Sequence, residues 1–181
     1  LAVPLALDAR WTTAVWAAEG AAVYWMGQRQ GRWLARLAGL VLQVLAALSF
    51  LRSFDQVQTA LWPLANPVFM GALLLAASAL AIAHWSRAAN ALSDGDTVFA
   101  QQFAALEKSL SPALFWVGFL WWQFALGHEI GHRTFTAEGY WVPVLSHAQQ
   151  SYLHMLAWVA SAGVAHRWAL QERSHPWAVA A

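Results

Sequence analysis

The sequence predicts an all-α fold, a polytopic transmembrane helical bundle of about five spans with one short interfacial helix. Three observations carry that expectation. Of 181 residues, 60% are hydrophobic and 10% charged, against roughly 25% charged in ordinary soluble domains. Thirteen residues are Trp, whose ring sits among acyl chains and whose N–H reaches the headgroups at a membrane–water interface. Apolar stretches close to the ~20 residues that cross a hydrocarbon core recur along the chain, separated by polar loops.

The first stretch, Trp11 to Gly27, follows Asp8 as a helix N-cap and contains Glu19. The second is Leu34 to Leu51, and the third, Pro67 to Ala83, contains no charge at all. The fourth, Pro112 to Leu126, begins with Pro at a first turn, where a missing N–H costs nothing. The fifth, Tyr152 to Ala165, is short and relies on Trp168 and the Arg167 stem to reach the interface. Between the third and fourth, Phe99, Phe103, Leu106 and Leu110 recur at helical spacing, with Gln101, Gln102, Glu107 and Lys108 among them. This pattern fits a short amphipathic helix in the interface, or equally one packed on the protein's own loops. No repeat and no domain boundary divides residues 1–181, which read as one transmembrane segment.

A formal net charge of +1 leaves no electrostatic footprint for nucleic acid. Without cysteine there are neither disulfides nor thiolate metal sites. The chain opens on Leu1-Ala2-Val3-Pro4 with no initiator Met and no signal-peptide n-region. It is therefore expected to be a piece of a longer membrane protein, with the lipid bilayer and further transmembrane helices of the parent chain as partners. Arg29, Arg32 and Arg36, then Arg87 and Lys108, then Arg167 and Arg173 fall on one side of the spans. The other side has Arg10, Arg52 and Arg133. The excess of basic residues places the N-terminus outside and the C-terminus in the cytoplasm of a bacterial inner membrane.

His128-Glu129-Ile130-Gly131-His132 ends the fourth span with the H-E-x-x-H spacing. On a helix this spacing sets two imidazoles on one face as zinc ligands, with the glutamate as general base. A zinc-dependent intramembrane metalloprotease would use Glu129 catalytically and His128 and His132 as ligands. His154, in the fifth span, is the best third ligand, with Glu138, His147 and Glu172 as other downstream donors. No second helical motif delivers that third ligand, and the basic-residue count places the motif outside, opposite to its usual side in membrane zinc proteases. The preferred expectation is accordingly a non-enzymatic membrane protein with no cofactor, serving envelope-associated transport or scaffolding.

Glu19 lies midway along the first span, where an ionised carboxylate costs several kcal/mol and must face protein or water. Gln43 lies at similar depth in the second span, and its amide is placed to donate to Glu19 across a helix pair. These two form the expected polar midplane pair. Glu19 reads either as part of a proton or substrate path or, more simply, as a hydrogen-bonded packing residue beside Ala18, Ala21 and Ala22.

Beyond these patterns, the stretch from Leu1 to Thr12, then Trp16-Ala17-Ala18-Glu19-Gly20-Ala21-Ala22 and Gly27-Gln28-Arg29-Gln30, resembles a bacterial family of large polytopic "predicted membrane proteins" with a domain of unknown function. The resemblance continues through Leu37 to Phe50, and more loosely through Trp121-Trp122, Glu129-Ile130 and Arg133. It implies a much longer parent chain with many more membrane helices. In the family pattern the residues at Glu129-Ile130 recur but histidines at both His128 and His132 do not, so the resemblance implies that the zinc spacing arose in passing. It supplies no activity, cofactor or catalytic residue.

Overall fold

The computed structural model describes the backbone of residues 9–53, 64, 66–87, 98–135 and 140–174, and the side chains of 14–52, 64, 66–87, 98–133, 140 and 142–167. Asp8, Glu138 and Gly139 lie outside the described residues, as do the side chains of Arg10, Trp11, Trp168, Glu172 and Arg173. The described elements are α1 (Ala9–Gln30), α2 (Trp33–Ser53), α3 (Pro67–Arg87), α4 (Val98–Ile130), β1 (Arg133–Phe135), β2 (Trp141–Pro143) and α5 (His147–Ser174). Two compact units divide them, residues 1–128 and 129–181. That division falls inside the His128–His132 segment, where no shift in composition announces it.

The fold is all-helical apart from one small hairpin, and three of the described helices, α2, α3 and α4, are long and apolar enough to cross a membrane. The sequence reading expected about five such spans. Polar residues separate the other two from the set: α1 carries Glu19 and ends on Gln28-Arg29-Gln30, and α5 is interrupted by His154, His166 and Arg167.

In the first unit, α1 and α2 form an antiparallel hairpin whose turn is dictated by Gly31. Its φ of 66° is a left-handed conformation that costs glycine nothing. Arg32 N–H donates to the Gly27 carbonyl at 2.9 Å and Gly31 N–H to that of Gln28 at 3.3 Å, the paired bonds of a Schellman C-cap. The helices then meet backbone to backbone. A Cβ on Gly39 would stand 2.6 Å from the Gly20 carbonyl oxygen and 2.8 Å from the Tyr24 Cβ, so only glycine allows this approach. At the start of α3 the Asn66 side chain accepts from Phe69 N–H at 2.7 Å, with Pro67 at the first helical position. Ala17, Ala46, Phe50, Val68, Phe69, Ala72, Leu75 and Ala125, from all four helices, close the core at one end. Ala21, Tyr24 and Ile82 close a smaller cluster toward the α1–α2 turn.

The expected break between an interfacial helix and a fourth span is absent. Both belong to α4, a continuous helix with Pro112 inside it. At about 1.5 Å per residue it runs roughly 50 Å, well beyond a ~30 Å hydrocarbon core. Proline here removes only the bond to the Lys108 carbonyl, a loss that tertiary contacts on both sides offset. Phe103, Glu107, Ser111, Gly118 and Ala125 are buried along α4. Their spacing of four and seven residues forms one seam that crosses the proline without interruption.

In the second unit, β1 pairs antiparallel with β2, Thr134 opposite Val142, and Val144 N–H extends the ladder to the His132 carbonyl at 3.2 Å. The sequence reading took this stretch as loop, because strands of three residues carry almost no periodic signal. α5 opens with a capping box. Gln149 N–H donates to Ser146 Oγ at 3.4 Å, and the Gln149 side chain accepts from Ser146 N–H at 2.9 Å. Most described side chains of α5 are exposed, including Tyr152, Met155, Leu156, Val159 and Val164.

Candidate functional site

The most polar part of the interior lies in the first unit, toward the α1–α2 turn, where three helices each contribute one side chain. α1 places Tyr24 on its buried face, one turn before the close contact at Gly27. α2 places Arg36 a turn after its start at Trp33. α4 places Glu107 in the middle of its seam. Tyr24 and Glu107 are almost fully buried and Arg36 is 7% exposed. Arg36 Nη1 donates to Glu107 Oε2 at 2.8 Å, and Tyr24 Oη donates to Glu107 Oε1. Each carboxylate oxygen therefore accepts from a different helix.

Aromatic rings and a second tier of hydrogen bonds hold this triad in place. The Phe103 ring lies 5.6 Å from the Arg36 guanidinium carbon and 5.9 Å, centroid to centroid, from Trp33. Gln28 Nε2 donates to the Trp85 carbonyl at 2.8 Å, fastening the end of α1 to the end of α3. Ser111 Oγ donates to the Ala83 carbonyl at 3.0 Å and accepts from Arg87 Nε at 3.3 Å, fastening α3 to α4. A charged pair this deep is costly to desolvate, and the cost is met only when the remaining donors and acceptors are also satisfied. Here the phenol and the guanidinium satisfy both carboxylate oxygens, while the buried Arg36 Nε finds no hydrogen-bond partner among the described residues. What the arrangement does chemically is to fix the rotation and register of α1, α2 and α4 against one another.

The sequence-predicted residues fall elsewhere. Gly20 packs on Gly39, Leu42 and the Gln43 backbone, which sets Glu19 and Gln43 at one level near the middle of α2. They do not bond to each other. Gln43 is buried and its Nε2 donates to the Leu75 carbonyl of α3 at 3.2 Å. Glu19 is half-buried, and a step of 100° per residue puts it across α1 from Ala17 and Ala21, which pack inward. Arg36, counted from sequence among loop cations, is a buried helical residue committed to Glu107. Glu107 itself read as the solvated side of an amphipathic helix, and Tyr24 carried no signal at all. The signal that finds Glu107 is its place four residues after Phe103 and four before Ser111, a stripe that continues to Gly118.

The H-E-x-x-H segment does not stand on one helix. α4 ends at Ile130, Gly131 is a turn, and His132 N–H closes on the Glu129 carbonyl at 3.1 Å. His128 thus occupies the last turn of α4, and His132 lies just past its end. His154 is a half-buried residue of α5. Among the described residues no group of three or more His, Cys, Asp or Glu side chains is placed to hold a metal ion.

No curated protein and no solved structure matches the chain. A family model matches it along residues 1–181, in keeping with the apolar helices and the interior just described, and the chain belongs to the family of predicted membrane proteins DUF2339.

Proposed function

We propose that this chain is a non-enzymatic, multi-pass part of a bacterial inner-membrane protein, and that its work is scaffolding, holding membrane helices in fixed register for an envelope-associated process. The observation that carries this reading is the Glu107 carboxylate, shared between Tyr24 of α1 and Arg36 of α2. Each Glu107 oxygen accepts a charge-assisted or buried hydrogen bond from a different helix, so the carboxylate ties α4 to both α1 and α2. The outward faces of α2 and α4 support the membrane setting. Leu34, Val41, Val44, Leu48 and Leu51 on α2, and Trp116, Val117 and Leu120 on α4, are exposed apolar side chains suited to lipid.

The reading is tested by replacing the ion pair with apolar residues in the full-length protein, in cells that depend on it. A joint can be rebuilt from packing alone, so the double change Arg36→Leu with Glu107→Leu is expected to restore the envelope phenotype that Glu107→Leu alone abolishes. A double variant that folds, inserts and stays inactive would show that the charges perform chemistry, and would end the scaffold reading.

A further inference from the structure

Arg36 gives only part of its guanidinium to Glu107. Among the described residues that carboxylate is the one acceptor it meets, through Nη1. Nε is buried and bonds to nothing, so the edge formed by Nε and Nη2, whose N–H groups point the same way, carries no partner. An edge of that shape matches two oxygens of a phosphate or a carboxylate. A buried N–H without an acceptor is costly, which favours an acceptor from outside the chain.

Three exposed cations surround the level of Arg36, which stands near the start of α2, a helix apolar enough to cross a membrane. Arg32 lies one turn before it, Arg29 ends α1 just across the turn, and Lys108 follows Glu107 on α4. None of the three pairs with an acid among the described residues. The described acids of the first unit are Glu19, half-buried near the middle of α1, and Glu107, already joined to Arg36 and Tyr24. Trp33 and Phe103, with ring centroids 5.9 Å apart, give this level the aromatic character of a membrane–water interface.

We propose that the Nε–Nη2 edge of Arg36 receives the phosphate of an anionic membrane lipid, drawn in by Arg29, Arg32 and Lys108. The phosphate supplies the acceptor that Nε lacks, and the three cations balance its charge. Glu107 keeps Nη1, so the helix joint and the lipid occupy different edges of one side chain. The lipid then completes the joint that holds α2 against α4. This deepens the scaffold reading and rests on the membrane setting given there for α2 and α4.

Native mass spectrometry of the full-length protein in detergent, offered dioleoyl phosphatidylglycerol and dioleoyl phosphatidylcholine together, reads the site directly. Phosphatidylglycerol is expected to be retained in preference, and added salt to weaken its retention. Arg36→Lys keeps a charge beside Glu107 but has no second N–H edge, and should lower that retention on the order of tenfold. Arg32→Gln and Lys108→Gln, at exposed positions outside the joint, should each lower it about fivefold with the unfolding midpoint unchanged. Arg52→Gln, at the far end of α2, should leave it as it was. Equal retention of the two lipids, full retention in Arg36→Lys, or a loss in Arg52→Gln as large as in Arg32→Gln would each overturn the proposal. So would displacement of the lipid by an equal concentration of inorganic phosphate, which would assign the edge to a soluble anion. Alkaline extraction separates the two readings. A chain that leaves the membrane in carbonate without detergent refutes the membrane setting, and one that stays but shows no lipid preference refutes the lipid site alone.

Discussion

Two helices of this chain, α1 and α5, have similar length and fall short of membrane-spanning apolarity for similar reasons, yet they live in different surroundings. In the first unit α1 is held by glycine contacts to α2, by a buried phenol–carboxylate bond to α4 and by the Gln28 bond to α3. In α5 two serine hydroxyls bond back along their own helix. Ser151 Oγ and Ser161 Oγ each donate to the carbonyl four residues back, and most of its large apolar side chains are exposed, with His154, Ala157, Ser161 and Ala165 forming one partly buried stripe. The comparison teaches that the character of a marginal helix is set by what its neighbours offer. Small residues and a buried charge pair make α1 part of a core, whereas among the described residues of α5 none is fully buried.

That contrast can be attacked in order of expected effect. The largest is Glu107→Ala, which strands the Arg36 guanidinium in the interior and should cost the first unit about 3–5 kcal/mol, read as a fall in unfolding midpoint in detergent. Next is Gly39→Leu. Its side chain has to displace the Gly20 carbonyl and Tyr24, and a loss of about 1–3 kcal/mol in the same assay is expected. Ser111→Ala removes a donor to the Ala83 carbonyl and an acceptor for Arg87, and should cost about 1–2 kcal/mol. In the second unit, Ser146→Ala removes the cap of α5 at about 1 kcal/mol, visible as faster amide exchange in the first turn and nowhere in the first unit. The smallest effect belongs to Gly163→Ala. Nothing lies within 4 Å of its added Cβ, and helix propensity alone should favour alanine by up to about 1 kcal/mol. A strong loss there would mean that α5 has a close packing partner, and would erase the contrast.

The sequence reveals these regions unequally for the same physical reasons. α2 and α3 are legible because unbroken apolar runs need no partner to be recognised, and the expected spans Leu34 to Leu51 and Pro67 to Ala83 lie inside the helices that form. α4 was split because Pro112 is a sound first-turn residue when helices are judged locally. Its continuity depends on Phe103, Glu107, Ser111 and Gly118 meeting three other helices, which no window of α4 contains. Glu107 and Arg36 were read as solvated charges for a related reason, since each is a plausible surface residue until the other is placed beside it, seventy-one positions away in the chain. The depth of Glu19 and Gln43 follows from counting residues, but the direction each faces depends on the α1–α2 crossing at Gly20 and Gly39. The hairpin of β1 and β2 is too short to be periodic. The end of α4 at Ile130 is set by Gly131, which the H-E-x-x-H spacing alone does not announce.

The claim on which the rest depends is that Arg36 and Glu107 are joined across α2 and α4 in the folded protein. A double-mutant cycle on its unfolding free energy, with Arg36→Gln, Glu107→Gln and the pair together, measures that joint directly. The predicted result is strong non-additivity, a coupling of about 2 kcal/mol or more, because the second substitution removes a charge that the first has already stranded. Additive losses, with a coupling near zero, would contradict it.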